Sequence, residues 1–219
     1  MEIKVNTGIL EANEATAKAN KELLKAKRVF TINVMGSPGA GKTTLLERTI
    51  ELLKDRIRMG VIEGDIYTAK DAQRIEKHGI PVKQINTGGA CHLDARMVEK
   101  ALNFFNLDEL DLMIIENVGN LVCPVEFNLG EDLKIAVLSI TEGDDKPLKY
   151  PLIFKESAAV LINKVDMLEF TDVNLETLER DIRLINPHIK IFFVSARTGQ
   201  GIRDWTDWLL QQVENSNRT

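Results

Sequence analysis

A nine-residue stretch, Gly36-Ser37-Pro38-Gly39-Ala40-Gly41-Lys42-Thr43-Thr44, carries the most specific chemistry in the chain. It fits the pattern G-x-x-x-x-G-K-[ST] with Gly36, Gly41, Lys42 and Thr43 in the fixed places. Its glycines let the backbone curl until successive N–H groups face phosphate oxygens. A helix starting near Thr43 adds the positive end of its dipole to the same point. In such a loop, the lysine reaches the β- and γ-phosphates and the threonine hydroxyl binds Mg²⁺. Ser37, Gly39, Ala40 and Thr44 complete the phosphate cradle.

The base is chosen further along. Asn163-Lys164-Val165-Asp166 places a carboxylate where it can accept from N1–H and the exocyclic amine of guanine. Adenine offers no such pair and would leave the acid unsatisfied. The aliphatic stem of Lys164 suits a purine face. Ser195-Ala196-Arg197, after a later strand, supplies a backbone N–H for the guanine carbonyl. The expected ligands are therefore GTP and GDP, and Asp166 disfavours an ATP-dependent kinase. Two acids close strands on the same side: Asp65, in E-G-D-I-Y-T, and Glu116, in L-M-I-I-E. One acidic group is expected to hold Mg²⁺ with Thr43, directly or through water, and one to orient the attacking water. Lys42, Asp65 and Glu116 are thus the candidate catalytic groups. No glutamine or arginine stands out beside them, so slow intrinsic hydrolysis is expected.

A second constellation is Cys91-His92, behind Gly88-Gly89-Ala90, with Cys123 in G-N-L-V-C-P. Thiolate and imidazole suit borderline metals such as zinc and nickel. Three such ligands leave a tetrahedral position open to water or to a second subunit. By spacing alone, two small buried hydrophobes explain the cysteines equally well, because the chain has no C-x-x-C pair.

These residues need a scaffold that brings loops to one edge. Apolar, near-continuous runs at Val29–Met35, Arg58–Ile62, Val82–Asn86, Leu112–Glu116, Lys134–Ile140, Ala158–Ile162 and Lys190–Val194 read as buried strands. Between them, amphipathic runs at Thr43–Lys54, Ala69–His78, Leu93–Phe105, Leu175–Ile185 and Ile202–Val213 read as helices. The alternation predicts an α/β fold: a three-layer phosphate-loop NTPase with a mostly parallel sheet, plus an N-terminal helix. Ligands bind such sheets at the carboxyl ends of the strands. Thr7–Lys27, with Leu10, Ala17 and Leu24 at intervals of seven, reads as that helix. The expected division is residues 1–27 for the helix and 28–219 for the nucleotide domain.

Composition sets outer limits. With 28 basic and 33 acidic residues the net charge is −5, which gives no general attraction to nucleic acid or anionic lipid. No run approaches the ~20 apolar residues needed to cross a bilayer. The charged, Ala-rich N-terminus lacks the apolar block of a signal peptide, and the cytoplasm is the expected compartment. Two cysteines do not make a disulfide scaffold, least of all in a reducing compartment.

Three long stretches carry a resemblance. N-T-G-G-A-C-H-L-D-A-R-M-V (Asn86 to Val98), I-E-N-V-G-N-L-V-C-P (Ile115 to Pro124) and T-E-G-D-D-K-P-L-K-Y-P (Thr141 to Pro151) resemble the HypB family of hydrogenase accessory GTPases. With the nucleotide motifs, the likeness covers essentially everything from Arg28 onward. It implies a role in nickel insertion during nickel–iron hydrogenase maturation, and a nickel or zinc site at Cys91, His92 and Cys123. It also implies GTP-dependent homodimerisation, a small zinc-containing partner of the HypA type, and a hydrogenase large-subunit precursor as client. Some members carry a cysteine-rich N-terminal nickel site or a histidine-rich stretch; Met1 to Lys27 has neither Cys nor His, so the nickel-store role is not expected here. Two other readings remain at this point. One is a docking scaffold in which nucleotide is structural. The other is a urease-type nickel GTPase, whose Cys-Pro-His motif differs from the adjacent Cys91-His92.

Overall fold

A seven-stranded sheet, with every pairing between its strands parallel, organises the computed structural model, which describes residues 7–68 and 70–216. The first six residues of the expected 1–27 segment, and Ala69 at the expected start of the third helix, lie outside the described residues. The strands are β1 (Phe30–Gly36), β2 (Met59–Asp65), β3 (Val82–Asn86), β4 (Leu112–Glu116), β5 (Leu133–Ser139), β6 (Ala159–Asn163) and β7 (Lys190–Phe193). Their order is β3-β2-β4-β1-β5-β6-β7, so the carboxyl ends of all seven open on one edge.

Alternation within the strands divides the core by face. Ile32, Val34, Leu112, Ile114, Ile135, Val137 and Leu161 pack under α2 (Lys42–Leu53) and α9 (Ile202–Ser216), meeting Leu45, Leu46, Ile50, Trp205 and Leu209. The alternate residues face the other layer. Ile62, Met113 and Ile115 meet Val98, Ala101 and Leu102 of α4 (Ala95–Leu102) and Leu24 of α1 (Thr7–Ala26). Met35, Ala136, Leu138, Val160 and Ile162 meet Ile153 and Phe154 of α7 (Pro151–Glu156), and Leu178 and Ile182 of α8 (Leu175–Ile185). Both faces are therefore covered, as near-continuous apolar strands require. Helix α3 (Lys70–Glu76) buries Ala72 and Ile75 on the α2 side.

Two helical segments that periodicity does not reveal, α5 (Cys123–Glu126) and α6 (Lys146–Lys149), each span a single turn. At that length no repeat of 3.6 residues can register in a sequence. The helix expected over Leu93–Phe105 is shorter than its apolar pattern. It starts at Ala95, where Asp94 accepts from the Met97 N–H as N-cap.

Helix α1 is tied across two neighbouring segments. Asn13 accepts from the Ala95 N–H (2.8 Å) and donates to the Asn128 carbonyl (2.8 Å). Asn20, 2% exposed, donates to the carbonyls of Ala95 and Leu129, both at 2.9 Å.

Candidate functional site: a nucleotide cleft beside a Cys-His-Cys cluster

Gly36 ends β1 with no room for a side chain, since a Cβ there would lie 2.3 Å from the Val137 carbonyl oxygen. Gly39 and Gly41 both take positive φ (78° and 93°), which turns the loop back on itself before α2. Lys42 folds over this loop, its Nζ lying 3.5 Å and 3.4 Å from the carbonyl oxygens of Gly36 and Ser37. The Ser37 hydroxyl donates to Glu142, which also accepts from the Ser139 N–H. The loop encloses one side of a cavity of about 430 Å³ whose lining includes Lys42, Thr43, Thr44, Glu63, Asp65, Asp71, Arg74, Glu116 and Gly119.

At the base end, Asn163 acts as a buttress rather than a free ligand. It donates to the Ala40 carbonyl (2.9 Å) and accepts from the Ala196 N–H (3.0 Å), fastening the phosphate loop to the Ser195-Ala196-Arg197 turn. Ser195 is fully buried and accepts from the Thr198 N–H; the Ala196 and Arg197 carbonyls accept from Arg48. Lys164, in the left-handed region at φ 65°, donates to the Gly39 carbonyl at 2.7 Å. Its stem thus crosses from the base loop to the phosphate loop. Asp166 Oδ1 is buried with no hydrogen-bond partner. A buried carboxylate oxygen left in that state is costly unless a ligand donates to it, and the two adjacent N–H donors on guanine fit.

The acidic side of the cleft departs from its sequence expectation in one respect. Thr43 Oγ1 donates to Glu116 Oε1 at 2.9 Å, joining two of the three residues, Thr43, Asp65 and Glu116, expected around magnesium. Asp65 lines the same cavity, but its oxygens accept from Ile66 N–H (2.6 Å) and from Thr68 Oγ1 (2.7 Å) within its own turn. Partial burial raises its pKa, yet the bonds from Thr68 and Ile66 outweigh that and hold it below the usual aspartate range. Glu63, which strand boundaries ending at Ile62 pass over, sits opposite Glu116 across the β2–β4 pairing. Both are 3% exposed, and Oε2 of each has no partner. Burial, then the charge of Glu116, pushes the Glu63 carboxyl up to about 11. Burial also raises Glu116, against the pull of Lys42. Two unpartnered carboxylate oxygens beside a threonine hydroxyl fit a hard divalent cation with oxygen ligands. Arg74 also escapes a reading by motif: it donates to Thr44 Oγ1 at 2.8 Å and pairs with Glu47 and Asp71.

Cys91, His92 and Cys123 converge. One ligand atom from each lies within 4.8 Å of the others, and all three are half-buried. Strands β3 and β4 each run parallel to β2, so the loops that follow them leave by the same edge. Cys91 Sγ lies 3.7 Å from His92 Nδ1, and the imidazole stacks on Phe127 with centroids 3.9 Å apart. Burial lowers the His92 pKa, against the opposing charges of Asp94 and Glu126, which favours the neutral ring that ligates metals. The Cys91 contact, then burial, pushes the Cys123 thiol up. Two sulfurs and an imidazole at this spacing fit zinc or nickel chemistry.

No helix of the described residues is long and apolar enough to cross a membrane.

Comparison with known proteins agrees with this geometry. Residues 30–193 match the family model described as CobW/HypB/UreG, nucleotide-binding domain. The hydrogenase maturation factor HypB of Escherichia coli K12 is 45% identical over 210 residues, covering 96% of this chain and 72% of that protein. The probable HypB of Methanocaldococcus jannaschii is 43% identical, covering 95% and 92%. Among solved structures, HypB from Helicobacter pylori in complex with nickel superposes with a TM-score of 0.89 at 40% identity, covering 93% of this chain and 96% of that one. HypB from Archaeoglobus fulgidus gives 0.87 at 40% identity, covering 93% and 99%. A LAO/AO transport system kinase, 18% identical with a TM-score of 0.57, shares the fold alone. The adjacent Cys-His pair, the phosphate loop and these relatives concur: the chain belongs to the HypB family of hydrogenase maturation factors.

Proposed function

We propose that this chain is a GTP-hydrolysing metallochaperone whose nucleotide state controls a nickel-binding site, in the service of nickel insertion into a hydrogenase precursor. The observation that carries the reading is the shared edge: the Cys91-His92-Cys123 cluster and the phosphate cavity both open beyond the ends of β2, β3 and β4.

Asp166 takes the guanine N1–H and amine, while Asn163 and Lys164 keep the base loop and phosphate loop in register. The loop amides and Lys42 bind the phosphates. Thr43, with Glu116 and Glu63, lines the cation side of the site; these residues would hold Mg²⁺, which would supply positive charge against the phosphates. Asp65 lines the cavity in its ionised form, the form needed to orient an attacking water. Arg74 is committed to Glu47 and Asp71, so hydrolysis by the chain alone is slow.

Gly119 approaches the phosphate loop closely, a Cβ there lying 2.9 Å from Pro38. A γ-phosphate that shifts the loop therefore shifts Gly119, and with it the segment that leads to Cys123. Nickel is the cargo; zinc fits the same donors. The H. pylori relative solved with nickel supports that assignment, and the maturation role shared by its relatives points to a HypA-type partner and a homodimer as the working assembly. The cytoplasm, where thiols stay reduced, is the compartment this chemistry requires.

GTP turnover by wild type and Lys42→Ala, with nickel titration of wild type and Cys123→Ala, tests the reading. Slow turnover abolished by the first substitution and nickel binding lost in the second support it. Turnover indifferent to Lys42, or nickel binding indifferent to Cys123, removes it.

A further inference from the structure

Asn117 is 1% exposed and follows Glu116 at the end of β4. It lines the phosphate cavity, and its buried side chain is held by protein partners. Oδ1 accepts from the N–H of Leu93, at 3.0 Å, and from that of Val118, at 3.0 Å. Nδ2 donates to Asn33 Oδ1 at 3.1 Å, and Asn33 Nδ2 donates to Glu131 Oε1 at 3.2 Å. Glu131 Oε2 then accepts from the Leu129 N–H at 2.6 Å.

The ends of this buried chain are informative. Leu93 directly follows Cys91-His92. Leu129 lies two residues after Phe127, whose ring stacks on His92. The centre adjoins Glu116, the acid bonded to Thr43 of the phosphate loop. One network of amides and a carboxyl thus holds the backbone that carries Cys91 and His92, and the backbone that carries the ring packed on His92, to the acidic residue at the nucleotide. The surrounding strand positions are apolar, and a buried amide there costs desolvation that an apolar residue would avoid.

We propose that Asn117 is a positioning residue that couples the nucleotide state to the Cys91-His92 ligands, through its bond to the Leu93 amide. The inference deepens the reading above and rests on it. Moving the segment 116–119 while Leu93 stays still costs about 1–3 kcal/mol, because parting them leaves a buried N–H without a partner. The two segments therefore have concerted arrangements, and a group that biases one biases the other, reciprocally. A purely structural role for Asn117 would lower stability in both nucleotide states alike and leave their difference in metal affinity unchanged.

The test uses the full chain with Mg²⁺ and either GDP or a non-hydrolysable GTP analogue, titrated with Ni²⁺ in a calorimeter. Wild type is expected to show an affinity ratio between the two states of about five-fold or more, the lower range of coupling between sites. Asn117→Ala is expected to bring that ratio close to one while still binding nucleotide and nickel. Amide-resolved hydrogen exchange on wild type checks the same bond without a substitution, and decides the matter if the variant does not fold. Protection of the Leu93 amide is expected to change between the two nucleotides. A wild-type ratio that survives intact in Asn117→Ala, or Leu93 protection that is identical in both states, overturns the coupling role and leaves the metallochaperone reading standing. A wild-type ratio of one overturns both.

Discussion

Glu63 and Glu116 stand side by side on β2 and β4, both buried, each with an oxygen that no protein group satisfies. Like charges so placed in a dry site cannot both ionise without a cation. In the function proposed above, a divalent ion bound with the phosphates would supply the charge that lets both ionise.

Glu63→Gln should therefore stabilise the nucleotide-free protein and weaken its Mg²⁺-dependent affinity for GDP. The sign follows from the pKa. A carboxyl raised in the folded state adds stability that is complete below the unfolded value and is lost as pH rises toward about 11. At pH 4 the variant and wild type should melt together. By pH 8 the variant should be more stable, on the order of 1–4 kcal/mol. Thermal denaturation across that pH range, without nucleotide, makes the comparison; a variant less stable at pH 8 would mean that the pair is not under strain.

Asp166 offers a buried oxygen without a partner, and guanine is its proposed donor. Asp166→Asn replaces an acceptor with a group that also donates, so GDP affinity should fall by about 100-fold or more, as for sites whose buried polar contacts lose their match. Xanthosine diphosphate, which carries a carbonyl where guanine has the amine, should bind the variant better than GDP does. Fluorescent-nucleotide competition reads both numbers, and unchanged GDP affinity would reassign the base contact.

Asn20 holds α1 to two buried carbonyls, those of Ala95 and Leu129. Asn20→Ala removes both bonds; the Ala95 carbonyl keeps its place in the first turn of α4, but the Leu129 carbonyl loses its side-chain donor, which should cost about 1–3 kcal/mol. Ala95 begins the helix that follows His92, and Leu129 follows Phe127, so loosened packing of α1 should also weaken Ni²⁺ binding. Calorimetric unfolding and Ni²⁺ titration of the one variant check both effects. A full loss of stability with unchanged metal affinity would confine α1 to a structural role.

Far from the cleft, Asp111 receives Arg58 through its backbone N–H (2.8 Å) and guanidinium Nε (3.0 Å). The Arg58 hydrogen bond holds the Asp111 carboxyl below its usual range, against partial burial. A depressed carboxyl contributes stability that is present above the unfolded pKa of about 3.9 and is lost as pH falls through the folded one. Asp111→Asn should lower the melting temperature at pH 7 and lose that effect as the buffer is taken down through pH 3. A pH-independent difference would point to the backbone bond alone.

Much of this site is legible in the amino-acid sequence because it depends on fixed spacing at strand ends. Gly36, Gly41, Lys42 and Thr43 report a phosphate loop because only that order of residue types makes the turn. The parallel sheet follows from apolar runs such as Ala159-Val160-Leu161-Ile162, buried on both faces. Glu63 escapes because an acid inside a strand reads as the end of that strand; only pairing with β4 shows that it faces Glu116. Asn117, Asn33 and Glu131 escape for a different reason. Their partners are backbone amides and one another across distant strands, and no local pattern encodes which buried amide meets which. Cys91, His92 and Cys123 are suggestive by residue type alone, and the fold turns suggestion into a cluster by sending the loops after β3 and β4 out of one edge.

If nucleotide governs metal through the loop carrying Cys123, Ni²⁺ affinity must report it. The decisive comparison is between the wild-type chain and Cys123→Ala, each titrated with Ni²⁺ in the presence of GDP and of a non-hydrolysable GTP analogue. Expected is an affinity that differs between the two nucleotides in wild type and collapses in the variant. Affinities that are equal in both nucleotide states, or that survive the loss of Cys123, would contradict nucleotide control and leave a GTP-binding protein whose output is a protein contact.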